Sequence, residues 1–486
     1  KGMQEKRAVK AAWPFYLAAV LVAAIIAGAV AQSFVGESLA VLGIPDPGWP
    51  TTFGLPALRG AGWMLAALAV GSFLFAAFLI PPRIVGQDLN GAPLTVDGHI
   101  ASRTGAWASA GLALVGIVMI PLVLSDVSGE PLANVIFEAA AWSTAIEQVQ
   151  ESQVWLIVAA FAAVVAAGGF TASTWWPQVA LLAGAGIAIM PLALTGHSAT
   201  GGNHDYGTNS FIWHLTFMLV WVGALMALVA HGRRLGPNLE PAVRRYSNIA
   251  LFAFLAMLVS GLINGAIRIQ LTELTDYDYG WVLIAKAVGL LALGVLGYWH
   301  RQRTIPALSK DPKAFTRLAA VEVIVMAAVT GLAATLGRTP PPPPRDPNLT
   351  QMQVQMGYNL AEPVTWGNWF TLWRFELLFS VIAILLAAFY LHLARRVEGW
   401  QVSRTVWWLL GCGAIVVTLS SRLGMHMPAA YSAHMAVHMI LSMGVPVLLV
   451  LGAPLTLVRA AYPAGEFNPR QWVESFQRST FLRVVT

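Results

Sequence analysis

Apolar residues along this chain come in blocks of about twenty, the length that crosses a bilayer as a helix, with short polar stretches between them. The blocks lie near 13–35, 59–80, 105–124, 153–170, 175–194, 209–231, 248–269, 280–300, 316–336, 368–393, 404–424 and 433–456. Within each block the apolar character is continuous. The alternating apolar and polar positions of a transmembrane barrel are absent. The pattern predicts an all-α protein, a polytopic transmembrane helix bundle of about twelve spans.

Composition agrees. Hydrophobic residues are 57% of 486 and charged residues 11%, against about 25% charged in a soluble domain; mean hydropathy is +0.66. The net charge of +6 would suit a polyanion, but its distribution points elsewhere. With the N-terminus in the cytoplasm and the spans alternating, inner segments collect Lys6, Arg7, Lys10, Arg233, Arg234, Arg244, Arg245, Arg301, Arg303, Lys310, Lys313, Arg395 and Arg396. Outer loops collect Asp126, Glu130, Glu138, Glu147, Glu151, Glu273, Asp276 and Asp278. This is the positive-inside pattern of a bacterial plasma-membrane protein, and it argues against a nucleic-acid partner. Ala29-Val30-Ala31 loosely resembles a signal-peptide cleavage site. The apolar run before it is longer than a signal core, so it is expected to stay as the first span. The single cysteine, Cys412, lies inside an apolar block and is expected to be a packing residue. With no CxxC pair, a thiolate metal site is excluded.

Five consecutive prolines, Pro340 to Pro344, divide the chain. Such a run forms a stiff extended spacer, placed outside the membrane by the alternation. The expected modules are 1–338 with about nine spans, a linker over 339–356, and 357–486 with three spans. From Leu457 the chain turns polar, then apolar again at Phe481-Leu482, so the second module is expected to be incomplete. In the long outer stretch 125–152, Val135, Trp142, Ile146 and Val149 recur at helical spacing and predict an interfacial or partner-docking amphipathic helix. Most tryptophans near span ends read as interfacial anchors.

The histidines carry the candidate chemistry. Six of the ten fall near the expected outer face: His197, His204, His214, His426, His434 and His438. His197, His204 and His214 occupy a helix–loop–helix turn, where three imidazoles are expected to converge on one ion. In the second module His426 lies between Met425 and Met427, and His434-Met435 is followed one turn later by His438-Met439. Thioether favours Cu(I), and imidazole accepts several borderline metals. These ten residues are therefore the expected copper ligands, with zinc also open to the first cluster. His99, His231, His300 and His392 fall on the inner side and read as interfacial residues. Two ionisable residues lie inside spans. Lys286 is about one and a half turns into its span and Glu322 about two turns into the next. Such groups tend to pair, so a Lys286–Glu322 ion pair is expected, with a proton or ion path as the functional alternative. Asn264 and Arg268 would add polar lining.

The strings His214 to Gly223 (HLTFMLVWVG), Arg244-Arg245-Tyr246-Ser247, Tyr279 to Lys286 (YGWVLIAK), and Arg317 with Glu322 resemble the CopD family of copper-resistance membrane proteins. The likeness lies mainly over 195–340; residues 1–194 fit only by span count. It implies copper handling across the inner membrane, often beside an extracytoplasmic copper-binding protein. Ser432-Ala433-His434-Met435, His438-Met439 and Leu451-Gly452-Ala453-Pro454, with Tyr358 to Trp369, resemble the CtaG family of cytochrome c oxidase assembly factors over 357–456. That likeness implies supply of copper to the oxidase or to its assembly factors; the family has more spans than the three found here.

The resulting expectation is a non-enzymatic copper-binding or copper-transport membrane protein serving oxidase assembly, with lipid as its surroundings. The alternatives are a haem-binding or electron-transfer membrane protein, since histidines near helix ends also ligate haem, and a structural accessory subunit of a respiratory complex. No nucleotide loop or hydrolytic triad is present.

Overall fold

The computed structural model describes residues 12–84, 88–343, 346–360, 362–372 and 374–485. Among the described residues the chain is all-helical, and eleven helices are long and apolar enough to cross a membrane. In chain order they are α1 (Trp13–Ser33), α2 (Trp49–Leu79), α3 (Val96–Ser128), α4 (Gln150–Thr171), α5 (Trp175–Leu194), α6 (His204–Arg234), α7 (Gly236–Arg268), α8 (Asp278–Thr304) and α9 (Pro312–Thr335). A shorter apolar helix, α10 (Phe379–Ala394), comes next, followed by α11 (Val402–Ser420) and α12 (Tyr431–Ala461). The expected span 368–393 therefore loses its first half. The stretch 366–378 is rich in aromatic side chains, which makes it look like membrane, but its described residues, 366–372 and 374–378, form a looped segment. Asn368 holds part of it by accepting from Thr365 N at 2.7 Å and donating to Pro363 O at 3.1 Å.

Helix α2 is the hub of the first module, packed by α1, α3, α5, α6 and α9. Lipid tails are as apolar as the helices, so tight association depends on close van der Waals contact between small residues. Gly71 of α2 faces Gly223 of α6 so closely that a Cβ on Gly71 would lie 1.8 Å from the Gly223 carbonyl carbon, and one on Gly223 would lie 1.8 Å from Ala67 O. Gly60 and Gly331 approach Ala23 O of α1 in the same way, at 3.0 and 2.6 Å from a Cβ. By contrast α7, α8 and α12 turn much of their apolar surface outward, as with Leu262, Val295 and Val450.

The stretch between α3 and α4 forms two short helices, Leu132–Ile136 and Ala139–Gln148, that pack on α3 and α4. The expected amphipathic stripe is only partly used: Val135 is buried, Trp142 and Val149 are partly buried against the core, and Ile146 is exposed. Cys412 is buried with Tyr390, Trp408 and Leu457 in a core of the second module. That core is separate from the large core formed by α1–α9.

The two parts touch at both ends. On the face where the 339–356 segment runs (the linker face), Arg374 makes two 2.8 Å hydrogen bonds to Asp205 at the start of α6 and one of 3.0 Å to Asn203 Oδ1. The Arg374 guanidinium also lies 4.1 Å over Tyr206 and 5.1 Å over Tyr358. On the opposite face Arg245 donates to Phe467 O at 2.9 Å, Leu89 N donates to Ser475 Oγ at 3.0 Å, and Phe78 meets Trp472 edge-on.

Candidate metal-binding cavity

A cavity of about 180 Å³ opens in the linker-face half of the first module, between α2, α6, α7, α8 and α9. Its lining includes His214 and Met218 of α6, Met257 and Asn264 of α7, Lys286 of α8 and Thr330 of α9. The Arg59–Glu151 ion pair also borders it.

The sequence sets these positions by helical register. His214 and Met218 are one turn apart on α6 and share a face. On α7 the Ser260 hydroxyl donates to Ala256 O at 2.6 Å, which leaves its oxygen to accept from His214 Nδ1 at 3.0 Å. That hydrogen bond fixes the imidazole tautomer with the proton on Nδ1 and leaves Nε2 as the atom with a lone pair. Met257 lies one turn from Ser260 on the same helix. A half-buried imidazole and two buried thioethers thus line one small cavity. This donor chemistry suits Cu(I) or another soft monovalent ion. The cavity is close in size to the engineered ~150 Å³ void that accepts a benzene, and far too small for a porphyrin. Asn264 is more than lining: its Nδ2 donates to Gly207 O at 3.0 Å and lies 3.1 Å from Ser210 Oγ, tying α7 to the start of α6.

The three-histidine site expected from His197, His204 and His214 does not form as drawn. His204 and His214 are ten residues apart on one helix, a rise of about 15 Å. The His204 ring contacts Val354 O at 3.2 Å, away from the cavity; the His197 side chain lies outside the described residues. In the second module His426 is buried, and its Nδ1 donates to Arg422 O at 2.7 Å. Met425 is buried and Met427 partly so, whereas His434, Met435, His438 and Met439 are exposed along α12. Among the described residues no three His, Cys, Asp or Glu side chains come together to hold a metal. What remains of the second-module expectation is an exposed His434/His438 pair, one turn apart on a shared face.

The Lys286–Glu322 ion pair is also corrected. Glu322 Oε2 is 3.0 Å from His300 Nε2, with both side chains buried. Lys286 lines the cavity and makes no ion pair among the described residues. The cause is direction. Helix α8 starts at the linker face and α9 at the opposite face, so similar counts into each helix mark different depths. His231 departs from the interfacial reading too: it is buried, stacked on Phe75 at 4.7 Å, and held by Asp97 at 2.8 Å. Sequence reasoning named His214 but missed Met257 as its neighbour. The pairing joins residues 43 positions apart in sequence, and only the packing of α6 against α7 brings them together.

The linker-face contact connects this region to the second module. Tyr358 stacks with Arg374 and donates to Met425 O at 2.9 Å. Burial pushes its phenol up to about 12, so it stays a donor across the neutral range. A charge-assisted bidentate pair of this kind is expected to couple by about 1–3 kcal/mol. Thermal unfolding of Arg374→Ala, Asp205→Asn and the double variant should show that coupling. Strict additivity would mean the contact contributes nothing to stability.

Three family models match the chain: a copper resistance protein D-like N-terminal domain over residues 50–205, copper resistance protein D over 240–336, and the cytochrome c oxidase caa3 assembly factor (CtaG) over 384–486. The chain therefore joins a CopD-type part to a CtaG-type part, as the sequence motifs suggested. The CopD-like match begins far earlier than those motifs did, and the string 214–223 lies between the two matched stretches. An uncharacterized protein of Mycobacterium bovis is 28% identical over 407 residues, covering 82% of this chain and 58% of its own length. An uncharacterized protein of Mycobacterium leprae is 29% identical over 477 residues, covering 95% and 69%. The copper transport protein CutJ of Bacillus subtilis is 29% identical over 183 residues, 36% of this chain and 33% of its own. The chain thus spans 58% of the length of the first relatives it matches. No solved structure matches.

Proposed function

We propose that this multi-pass membrane protein is a copper carrier of a bacterial inner membrane. In this reading it takes up Cu(I) from the outer side in the CopD-type cavity and passes it toward cytochrome c oxidase assembly through the CtaG-type part. The observation that carries the reading is the cavity itself, where the Nε2 of a tautomer-fixed His214 lines the same small space as the Met218 and Met257 thioethers. The positive-inside pattern supports a cytoplasmic N-terminus and equates the linker face with the outside. An extracytoplasmic copper-binding protein is the natural donor to a cavity on that face. The Arg374–Asp205 contact supports transfer between the two parts, because it holds the start of α6 beside Tyr358 and the Met425 backbone. The exposed His434/His438 pair then serves as the delivery point to the oxidase or its assembly factors. No step in this reading requires catalysis; the protein binds and moves an ion.

The test is oxidase maturation in cells carrying the full-length gene. His434→Ala with His438→Ala should lower the copper content of the oxidase while the purified variant still binds copper in its cavity. Unchanged oxidase copper would overturn the delivery role. A Soret band in purified wild-type protein would favour a haem protein instead.

A further inference from the structure

Beneath the cavity, α9 carries Glu322, Met326 and Thr330 at one-turn intervals on one buried face. Thr330 lines the cavity, so Glu322 lies about 12 Å below it along the helix. Against Glu322 packs His300, which opens a five-residue π-helical turn, His300–Thr304, at the inner end of α8. The Thr304 hydroxyl is placed to donate to His300 O at 3.2 Å, and its oxygen lies 2.7 Å from His300 Nδ1. The imidazole therefore holds a proton on Nδ1 and presents Nε2 to Glu322 Oε2 at 3.0 Å. The contact is poorly aligned, and neither atom has a geometrically sound hydrogen bond. The Tyr246 hydroxyl and the Trp221 indole N–H, which face each other, are buried nearby.

The other ionisable groups on the surrounding helices are engaged elsewhere. Arg245 donates to Leu79 O and Phe467 O. Arg301 binds Ser247 and Asn248. Asp97 holds both His231 and Arg234. Arg244 pairs with Glu240, Arg303 stacks on Trp299, and Arg317 is exposed. Lys286 stays above, in the cavity wall. The buried carboxylate and imidazole thus answer to each other, to Lys286 in the cavity wall and to whatever charge enters the cavity.

We propose that Glu322 and His300 form a proton-binding site coupled to the cavity, so that entry of a monovalent soft metal ion drives a proton off the pair. With one proton shared between them, beyond the one on Nδ1, the pair is neutral overall. When a cation enters the cavity, the bond to that proton, N–H on His300 Nε2 or O–H on Glu322, breaks. The proton leaves to water at the inner face, and the pair is left with the single negative charge of the carboxylate. The buried charge is then balanced. Two unit charges about 12 Å apart at an effective dielectric near 20 change each other's binding by about tenfold. By linkage, protonation weakens metal binding by the same factor.

The inference rests on the cavity being the metal site, and the experiment separates the two. Ag(I), a redox-stable stand-in for Cu(I), is titrated into purified full-length protein in weakly buffered detergent solution near pH 8. Bound metal and released protons are measured together. Wild type should release up to about half a proton per ion bound, the most that a tenfold coupling permits, and its affinity should rise about tenfold as the pair is deprotonated. Glu322→Gln should bind Ag(I) with no proton release and with an affinity that no longer follows pH. His300→Gln is the second variant should Glu322→Gln fail to fold, and it should flatten the same pH profile. Wild-type binding without proton release overturns the coupling and leaves the cavity site standing. Absence of Ag(I) binding overturns the cavity reading and the coupling with it.

Discussion

Replacing Gly71 or Gly223 with a larger residue is expected to abolish the folded protein. Any Cβ at either position would enter the backbone of the other helix at 1.8 Å, and no rotamer change relieves a collision with backbone. Overpacking a core with side chains alone costs about 1–3 kcal/mol, and a clash that forces two hub helices apart costs at least that upper figure. Gly71→Val and Gly223→Val should therefore give little or no monodisperse protein in fluorescence-detected size-exclusion chromatography. Gly186→Ala, where a new methyl group meets nothing within 4 Å, is the control and should behave as wild type. Normal yield and melting of Gly223→Val would mean that α2 and α6 do not cross at this point.

The second large effect concerns metal affinity. Loss of the imidazole in His214→Ala should weaken Cu(I) or Ag(I) binding roughly 100-fold, equivalent to about 2.7 kcal/mol. Met218→Leu and Met257→Leu keep volume and remove sulfur, and each should cost roughly tenfold, about 1.4 kcal/mol. Ser260→Ala leaves all three donors in place but frees the ring to change tautomer. Loss of such an orienting partner typically costs about 10–100-fold. Competition against a chromophoric chelator measures all four. Equal affinities in His214→Ala and wild type would remove the cavity from consideration.

Much of the fold was legible because a bilayer imposes one length on every crossing helix. Eleven of the twelve apolar blocks match helices long enough to span, with ends shifted by up to twelve residues, as at Gly236 against 248. The block 368–393 failed for a specific reason. Trp369 and Phe370 make its start look like membrane, yet Asn368 and Arg374 tie that stretch into a loop on the linker face. The site was legible only by half. A histidine on an apolar helix with methionine one turn later can be read from sequence, and His214–Met218 has that spacing. Met257 and Ser260 cannot be read that way, because helical periodicity says which residues share a face and nothing about which face meets which. The Lys286–Glu322 pair shows the same limit in another form. Both residues were correctly singled out as charges inside spans, but the antiparallel run of α8 and α9 separates them in depth and gives Glu322 to His300. His300 itself looked interfacial because it sits at a span end, and only the π-helical turn His300–Thr304 carries it into the core. In the second module the repeated His-Met string was conspicuous, and its histidines do share a face. The buried His426 nevertheless joins no three-residue metal cluster among the described residues.

X-ray absorption at the copper edge of protein loaded with one Cu(I) tests the cavity most directly. The donor set His214, Met218 and Met257 predicts a first shell of nitrogen and sulfur. The sulfur contribution should fall when Met218 and Met257 are both changed to leucine, and it should be unaffected by His434→Ala with His438→Ala. A first shell of nitrogen and oxygen alone, or a sulfur signal indifferent to Met218 and Met257, would contradict the cavity as the place where this protein holds copper.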